Sequence, residues 1–155
     1  MILYRQATDE DFDFTFKIKA SSTKNLVEKI WGWDDVIHLD YLKNQFKPNT
    51  IKIIIDGIHE VNYISTFITG NILFIENSLT DTVFQGRNIG IGVLHGTIET
   101  AFEQYRNIEL QVFKINTRAK KLYERLNFHI IEQTELQDKM RYEQLSATKK
   151  PKLTK

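Results

Sequence analysis

The stretch from Ile51 to Leu79 constrains this chain more than any other. It is a run rich in β-branched and aromatic residues, broken at Asp56-Gly57 and at Gly70-Asn71. Both breaks carry residues that tolerate the positive φ of tight hairpin turns. Three strands read out of it: Ile51 to Ile55, Ile58 to Ile68 and Ile72 to Leu79. A meander joined by turns this short is antiparallel, and it needs further layers to bury its apolar face.

The flanking segments supply those layers. Ile2 to Ala7 reads as a first strand. Thr8 is placed to N-cap a helix whose first turn holds Asp9, Glu10 and Asp11, where carboxylates meet the positive end of the dipole. Phe12, Phe16 and Ala20, then Leu26, Val27 and Ile30, keep a helical period, with a break predicted at Ser21-Ser22. Trp31-Gly32-Trp33 interrupts the pattern, and Asp34 is placed to cap a second helix carrying Val36, Ile37, Leu39, Leu42 and Phe46. Pro48 and Asn49 end it. After the meander come a helix from Ile89 to Tyr105, a strand from Ile108 to Phe113, a helix from Thr117 to Leu126, a strand from Phe128 to Thr134 and a last strand near Lys139 to Leu145. The expected fold is α/β (α+β), with a mixed, mostly antiparallel central sheet of about seven strands flanked by about four helices.

Composition narrows the function. The 155 residues suit one domain, expected over residues 1–145, and the remainder, 146–155, holds Lys149, Lys150, Lys152 and Lys155 with no acid. That composition reads as a solvated basic tail. Lys plus Arg is 21 against 20 for Asp plus Glu, so a nucleic-acid partner is not expected. No apolar run approaches the roughly 20 residues that span a bilayer, so no membrane partner is expected either. Cysteine is absent, which removes disulfides, thiolate metal sites and a cysteine nucleophile, and fits a cytoplasmic location. The four histidines, His38, His59, His95 and His129, have no metal-ligand spacing, so no metal is expected.

Three of the seven glycines fall between Gly86 and Gly92. The segment Gln85-Gly86-Arg87-Asn88-Ile89-Gly90-Ile91-Gly92 follows a strand and opens a helix. There, glycines let successive N–H groups converge, and the helix N-terminus adds positive potential, a combination suited to phosphate or pyrophosphate. A plain turn built for close helix–sheet packing is the competing reading. A Walker loop is excluded, because Gly-Lys-Ser/Thr is missing. The dinucleotide fingerprint is excluded too, because His95 stands where its third glycine belongs. Further on, Leu110 and Val112 alternate on one strand face, and Ala119, Leu122, Tyr123 and Leu126 form one helical stripe. Asn116 or Thr117 is placed as N-cap, and Asn127 where a left-handed residue ends the helix.

These two segments resemble the GNAT superfamily of acetyl-CoA-dependent N-acetyltransferases, and the order of elements is similar from Ile2 to about Leu145. The family's Asn-x-x-Ala-x-x-Leu-Tyr-x-x-x-Gly-Phe is matched by Asn116, Ala119, Leu122, Tyr123 and Phe128, with Asn127 in place of glycine. Its Gln/Arg-x-x-Gly-x-Gly/Ala fits in two registers. Arg87-x-x-Gly90-x-Gly92 matches every letter. Gln85-x-x-Asn88-x-Gly90 places Asn88 at the first glycine and sets Val93, Leu94 and Ala101 on the family's apolar positions. The second is preferred, because asparagine visits the left-handed region more readily than most residues. Thr82 stands where many relatives have proline.

The resemblance implies a set of roles. Acetyl-CoA would be cosubstrate, its pyrophosphate held by Gln85, Gly86, Arg87, Asn88, Ile89 and Gly90, and its pantetheine by backbone groups of Ser78, Leu79 and Thr80 and by Asn116. Transfer would be direct, with no covalent enzyme intermediate. Tyr123 would protonate the departing sulfur, and Glu76, late on its strand, would take the amine proton, with a water chain as the alternative. The first helical pair would hold the acceptor, a small-molecule amine or a protein amino group. Trp31, Trp33 and Asp34 are its candidates, through cation–π and charge attraction, and packing anchors are the other reading of the two tryptophans. A homodimer is common in the family. A non-catalytic acyl-CoA-binding sensor or partner subunit of the same fold is the alternative function.

The proton arithmetic ranks the demands. Making a lysine-like amine of pKa near 10.4 nucleophilic at pH 7 costs about 4.6 kcal/mol, and an α-amino group about 1.4 kcal/mol. Protonating a thiolate of pKa about 8.5 gains only about 2 kcal/mol. For a strongly basic acceptor, accepting the amine proton is therefore the larger task.

Overall fold

The computed structural model describes residues 2–104 and 106–142. Tyr105, the end of the last expected strand and the basic tail lie outside the described residues. Among the described residues, seven strands form one sheet in the order β1-β2-β3-β4-β5-β7-β6. They are β1 (Ile2–Gln6), β2 (Ile51–Asp56), β3 (His59–Thr69), β4 (Ile72–Thr80), β5 (Asn107–Phe113), β6 (Phe128–Gln133) and β7 (Gln137–Tyr142). Four α-helices accompany them: α1 (Phe12–Ile30), α2 (Asp35–Gln45), α3 (Ile89–Glu103) and α4 (Thr117–Arg125). The sheet is mixed: β4 and β5 pair in parallel over Ile72–Ile75 and Asn107–Leu110, while β1/β2, β2/β3, β5/β7 and β6/β7 pair antiparallel. This is the expected α/β class.

The chain divides into two compact units, each assembled from two segments. The first joins Met1–Ser65 to Asn77–Gly90. Its core packs Ile18 of α1 against Ala7, Ile51, Ile53 and Tyr63, with Phe14, Phe46, Ile55 and Leu79 partly buried around them. Ile18 and Ile53 are fully buried, and each side chain contributes about 2 kcal/mol by removal from water. Thr8 caps as expected, within a capping box: Asp11 Oδ2 accepts from Thr8 N–H at 2.8 Å. Arg5 donates to both oxygens of Asp11 at 2.9 and 2.7 Å and also to Glu60. The Arg5 guanidinium, more than any other neighbour, holds the Asp11 carboxyl below the usual carboxylate range.

Two expectations within this unit are corrected. The break at Ser21-Ser22 is absent, and α1 runs unbroken through its 19 residues. Ser21 Oγ donates to the carbonyl of Ile18 at 3.1 Å, and Thr23 Oγ1 to that of Lys19 at 2.6 Å. The hydroxyls bond back onto the helix, so it continues without losing its own hydrogen bonds. The β2–β3 turn is Gly57-Ile58, one residue later than Asp56-Gly57, because Asp56 pairs with His59. Gly57 takes φ +66 at the first turn position, where a two-residue hairpin with one left-handed residue needs glycine.

The second unit joins Thr66–Glu76 to Ile91–Lys155, of which the described part ends at Tyr142. Helix α3 enters it from the first unit and buries Val93, Leu94, Ile98, Ala101 and Phe102. On β5, Ile108, Leu110 and Val112 are buried on the face where the register sets them against Tyr142, Met140 and Asp138. Two carboxylates are buried here with their counterions. Glu109 accepts from Arg141 Nε at 2.9 Å and lies 3.5 Å from Lys139 Nζ. Asp138, with no exposed surface, lies 2.7 Å from Lys120 Nζ and 4.0 Å from Lys114 Nζ, and accepts from Gln133 Nε2 at 2.8 Å. Helix α4 ends as expected at Asn127, which takes φ +72.

Candidate functional site

In the first unit, β4 ends at Thr80 and the chain turns sharply. Asp81 accepts from the N–H of Val83 at 3.2 Å and caps a short 3-10 turn, Thr82–Phe84. Gln85, Gly86, Arg87 and Asn88 follow, all exposed. Gly86 takes φ +84 and Asn88 φ +60. Alternation between left-handed and right-handed residues folds consecutive N–H groups into a concave nest. Helix α3 starts at Ile89, and the first four N–H groups of a helix have no partner within it. The conformation of Asn88 is the one that the Gln85-x-x-Asn88-x-Gly90 register asks of it. Arg87, whose guanidinium lies 5.4 Å from the Phe84 ring, adds a full positive charge. A diphosphate suits this set of donors.

The side chain of Gln85 does not join them. Its Nε2 donates to the carbonyl oxygen of Thr80 at 3.1 Å, which ties the loop to the strand that leads into it. Leu79 packs into the core of the unit, while Ser78 is half-buried. Gly90 lies close to β4: a Cβ built there would be 3.4 Å from Thr80 Oγ1.

In the second unit, Asn116 caps α4, its Oδ1 accepting from Ala119 N–H at 3.2 Å, so only its amide N–H₂ is left to donate elsewhere. Tyr123 lies two turns along this helix and meets the ring of Phe128 edge-on at 5.8 Å. Burial pushes its phenol above the ordinary value of 10.0. Glu76 of β4 is exposed, whereas its neighbour Ile75 is buried.

The α1–α2 corner places Trp31, Trp33 and Asp34 close in sequence with different surroundings. Trp31 is 64% exposed. Trp33 stacks flat on His38, with ring centroids 4.1 Å apart, and donates its Nε1–H to Asp35 at 2.6 Å. Asp34 is the N-cap of α2 and accepts from Ile37 N–H at 3.0 Å. One face of Trp33 and one oxygen of each aspartate are thus already engaged.

A polar line under α1 was not read from the sequence. Lys19 donates to Asn77 Oδ1 at 3.2 Å, Asn77 Nδ2 donates to Ser65 Oγ at 3.1 Å, and Asn62 Nδ2 donates to Thr80 Oγ1 at 2.8 Å. The available signal was Asn62 between Val61 and Tyr63, in a run read as rich in β-branched and aromatic residues. Among the described residues, no group of three His, Cys, Asp or Glu side chains could hold a metal, and no helix is long and apolar enough to cross a membrane.

No family model matches the sequence, and no curated protein is significantly similar to it. Solved structures do match. The PaiA N-acetyltransferase of Thermoplasma acidophilum, in complex with coenzyme A, is 12% identical with a TM-score of 0.76, covering 93% of this chain and 99% of its own. The N-acetyltransferase PseH of Campylobacter jejuni, in complex with acetyl coenzyme A, is 19% identical with a TM-score of 0.64, over 93% and 99%. An acetyltransferase of the GNAT family from Staphylococcus aureus is 16% identical with a TM-score of 0.67, over 92% and 100%. Along nearly its whole length, this chain has the fold of the GNAT-family N-acetyltransferases.

Proposed function

We propose that this protein is an N-acetyltransferase that moves the acetyl group of acetyl-CoA directly to an amine, either of a small molecule or of a protein. The observation that carries the reading is Tyr123, a half-buried phenol raised above its ordinary 10.0 by desolvation, on a helix whose N-cap is Asn116. The nest at Gly86–Asn88 and the N-terminus of α3 take the pyrophosphate, and Arg87 adds its charge. Backbone groups of Ser78, Leu79 and Thr80 serve the pantetheine arm in this reading.

Substrate atoms and protons balance without an outside reagent. The amine nitrogen bonds to the acetyl carbon, the carbon–sulfur bond breaks, the nitrogen loses one proton and the sulfur gains one. Glu76 or a water chain receives the first, and Tyr123 faces the second. A phenol at or above 10 is a weaker acid than a thiol near 8.5, so complete transfer from it is uphill by at least about 2 kcal/mol. Tyr123 therefore acts as a hydrogen-bond donor to the charge growing on sulfur, and solvent replaces any proton it gives up. Trp31, Trp33 and Asp34 remain the acceptor candidates, through cation–π and charge attraction.

Labelled acetyl-CoA incubated with a panel of polyamines, amino acids, peptide N-termini and lysine peptides tests this. Label appearing on at least one amine, with Tyr123→Phe slower, is the expected outcome. Tight acetyl-CoA binding with no labelled amine would instead make the protein an acyl-CoA-binding module.

A further inference from the structure

We propose that Asn62 is a positioning residue for the glycine loop, acting through Thr80. This rests on the reading of that loop as a cofactor site. Asn62 lies on β3 opposite Ile54 and has no exposed surface. Its Nδ2 donates to Thr80 Oγ1 at 2.8 Å, while its Oδ1 has no partner among the described residues. An orphaned buried acceptor costs stability, and an apolar side chain of similar size would not carry that cost. The bond to Thr80 is the one thing that Asn62 supplies and leucine does not.

Thr80 is where that bond has its effect. Its carbonyl oxygen accepts from Gln85 Nε2 at 3.1 Å and from Ser22 Oγ at 3.4 Å. Its hydroxyl oxygen sits against Gly90, in the first turn of α3. One residue therefore touches α1, β3, the loop and the helix N-terminus. Asn62 sets the χ1 rotamer of Thr80 by fixing its hydroxyl, and so sets how close the first turn of α3 comes to β4. The N–H groups that meet the pyrophosphate are carried on that turn.

A structural role and a positioning role predict opposite results for Asn62→Leu. If Asn62 serves only the core, the variant melts lower and binds coenzyme A unchanged. If it positions the loop, the variant melts no lower than wild type, and its Kd for coenzyme A by calorimetry rises about fivefold, the equivalent of one hydrogen bond of about 1 kcal/mol. Amide exchange at Ile89 to Gly92, measured without ligand, should be faster in the variant. Thr80→Ser, which keeps the hydroxyl, should weaken coenzyme A binding less than Thr80→Val does. Thr80→Val should reproduce the fivefold loss, and it decides the matter if Asn62→Leu does not fold. An unchanged Kd in the folded variants overturns the proposal. If wild type itself does not bind coenzyme A, the cofactor reading fails, and unchanged amide exchange would then overturn the positioning claim separately.

Discussion

Tyr123 and Glu76 sit in contrasting environments, and their variants should report it. The phenol of Tyr123 is pushed upward by burial and packs on Phe128, so Tyr123→Phe keeps the packing and removes only the hydroxyl. We expect kcat to fall about a hundredfold, the lower range for positioned proton donors, with the KM for acetyl-CoA unchanged. In wild type an alkaline limb belonging to Tyr123 should lie above pH 10, and the Phe variant should lack it. A rise in that KM alone would move Tyr123 to a binding role. Glu76→Gln should lower kcat, and a kcat equal to that of wild type would leave the proton to water. Tyr123 stands out in the sequence because its spacing from Asn116 matches a motif. Asn62 does not, because the polar residues around it on β3 form no motif.

At the scale of elements, the glycine loop and α1 show which signals are local. Asn88 takes φ +60, a conformation costing most side chains about 1–2 kcal/mol. Asn88→Gly should therefore fold and bind as well as wild type, whereas Asn88→Val should raise the KM for acetyl-CoA several-fold. Thermal melting and initial rates check both, and equal behaviour of the two variants would show that the left-handed conformation does not matter. The caps at Thr8 and Asp34 and the turn at Gly70-Asn71 were readable because glycine, asparagine, aspartate and threonine act on their own backbone, whereas the β2–β3 turn was read one residue early. The predicted break in α1 was wrong for a related reason: hydroxyls at Ser21 and Thr23 have two local options, and bonding to Ile18 and Lys19 keeps the helix. Strand β7 was only roughly placed. Its alternation of Asp138, Met140 and Tyr142 on one face hides a buried carboxylate among charges that read as solvated.

At the scale of the whole molecule, the sheet followed from its turns, but the ionic ties between distant segments could not. Asp138 is held below the usual carboxylate range, first by Lys120 and then by Gln133. Asp11 is held low by Arg5. A carboxyl whose folded pKa lies below its unfolded value near 3.8 adds stability above that pH, and the contribution is lost as pH falls through the folded value. Asp138→Asn should thus melt lower than wild type at about pH 7, and the difference should shrink at about pH 3. A gap that stays constant with pH would mean the charge of Asp138 contributes nothing. Amine-dependent release of the coenzyme A thiol from acetyl-CoA tests the proposed acetyl transfer. The account predicts release that rises with the concentration of at least one amine and falls sharply in Tyr123→Phe; acetyl-CoA bound but never consumed, whatever amine is supplied, would contradict it.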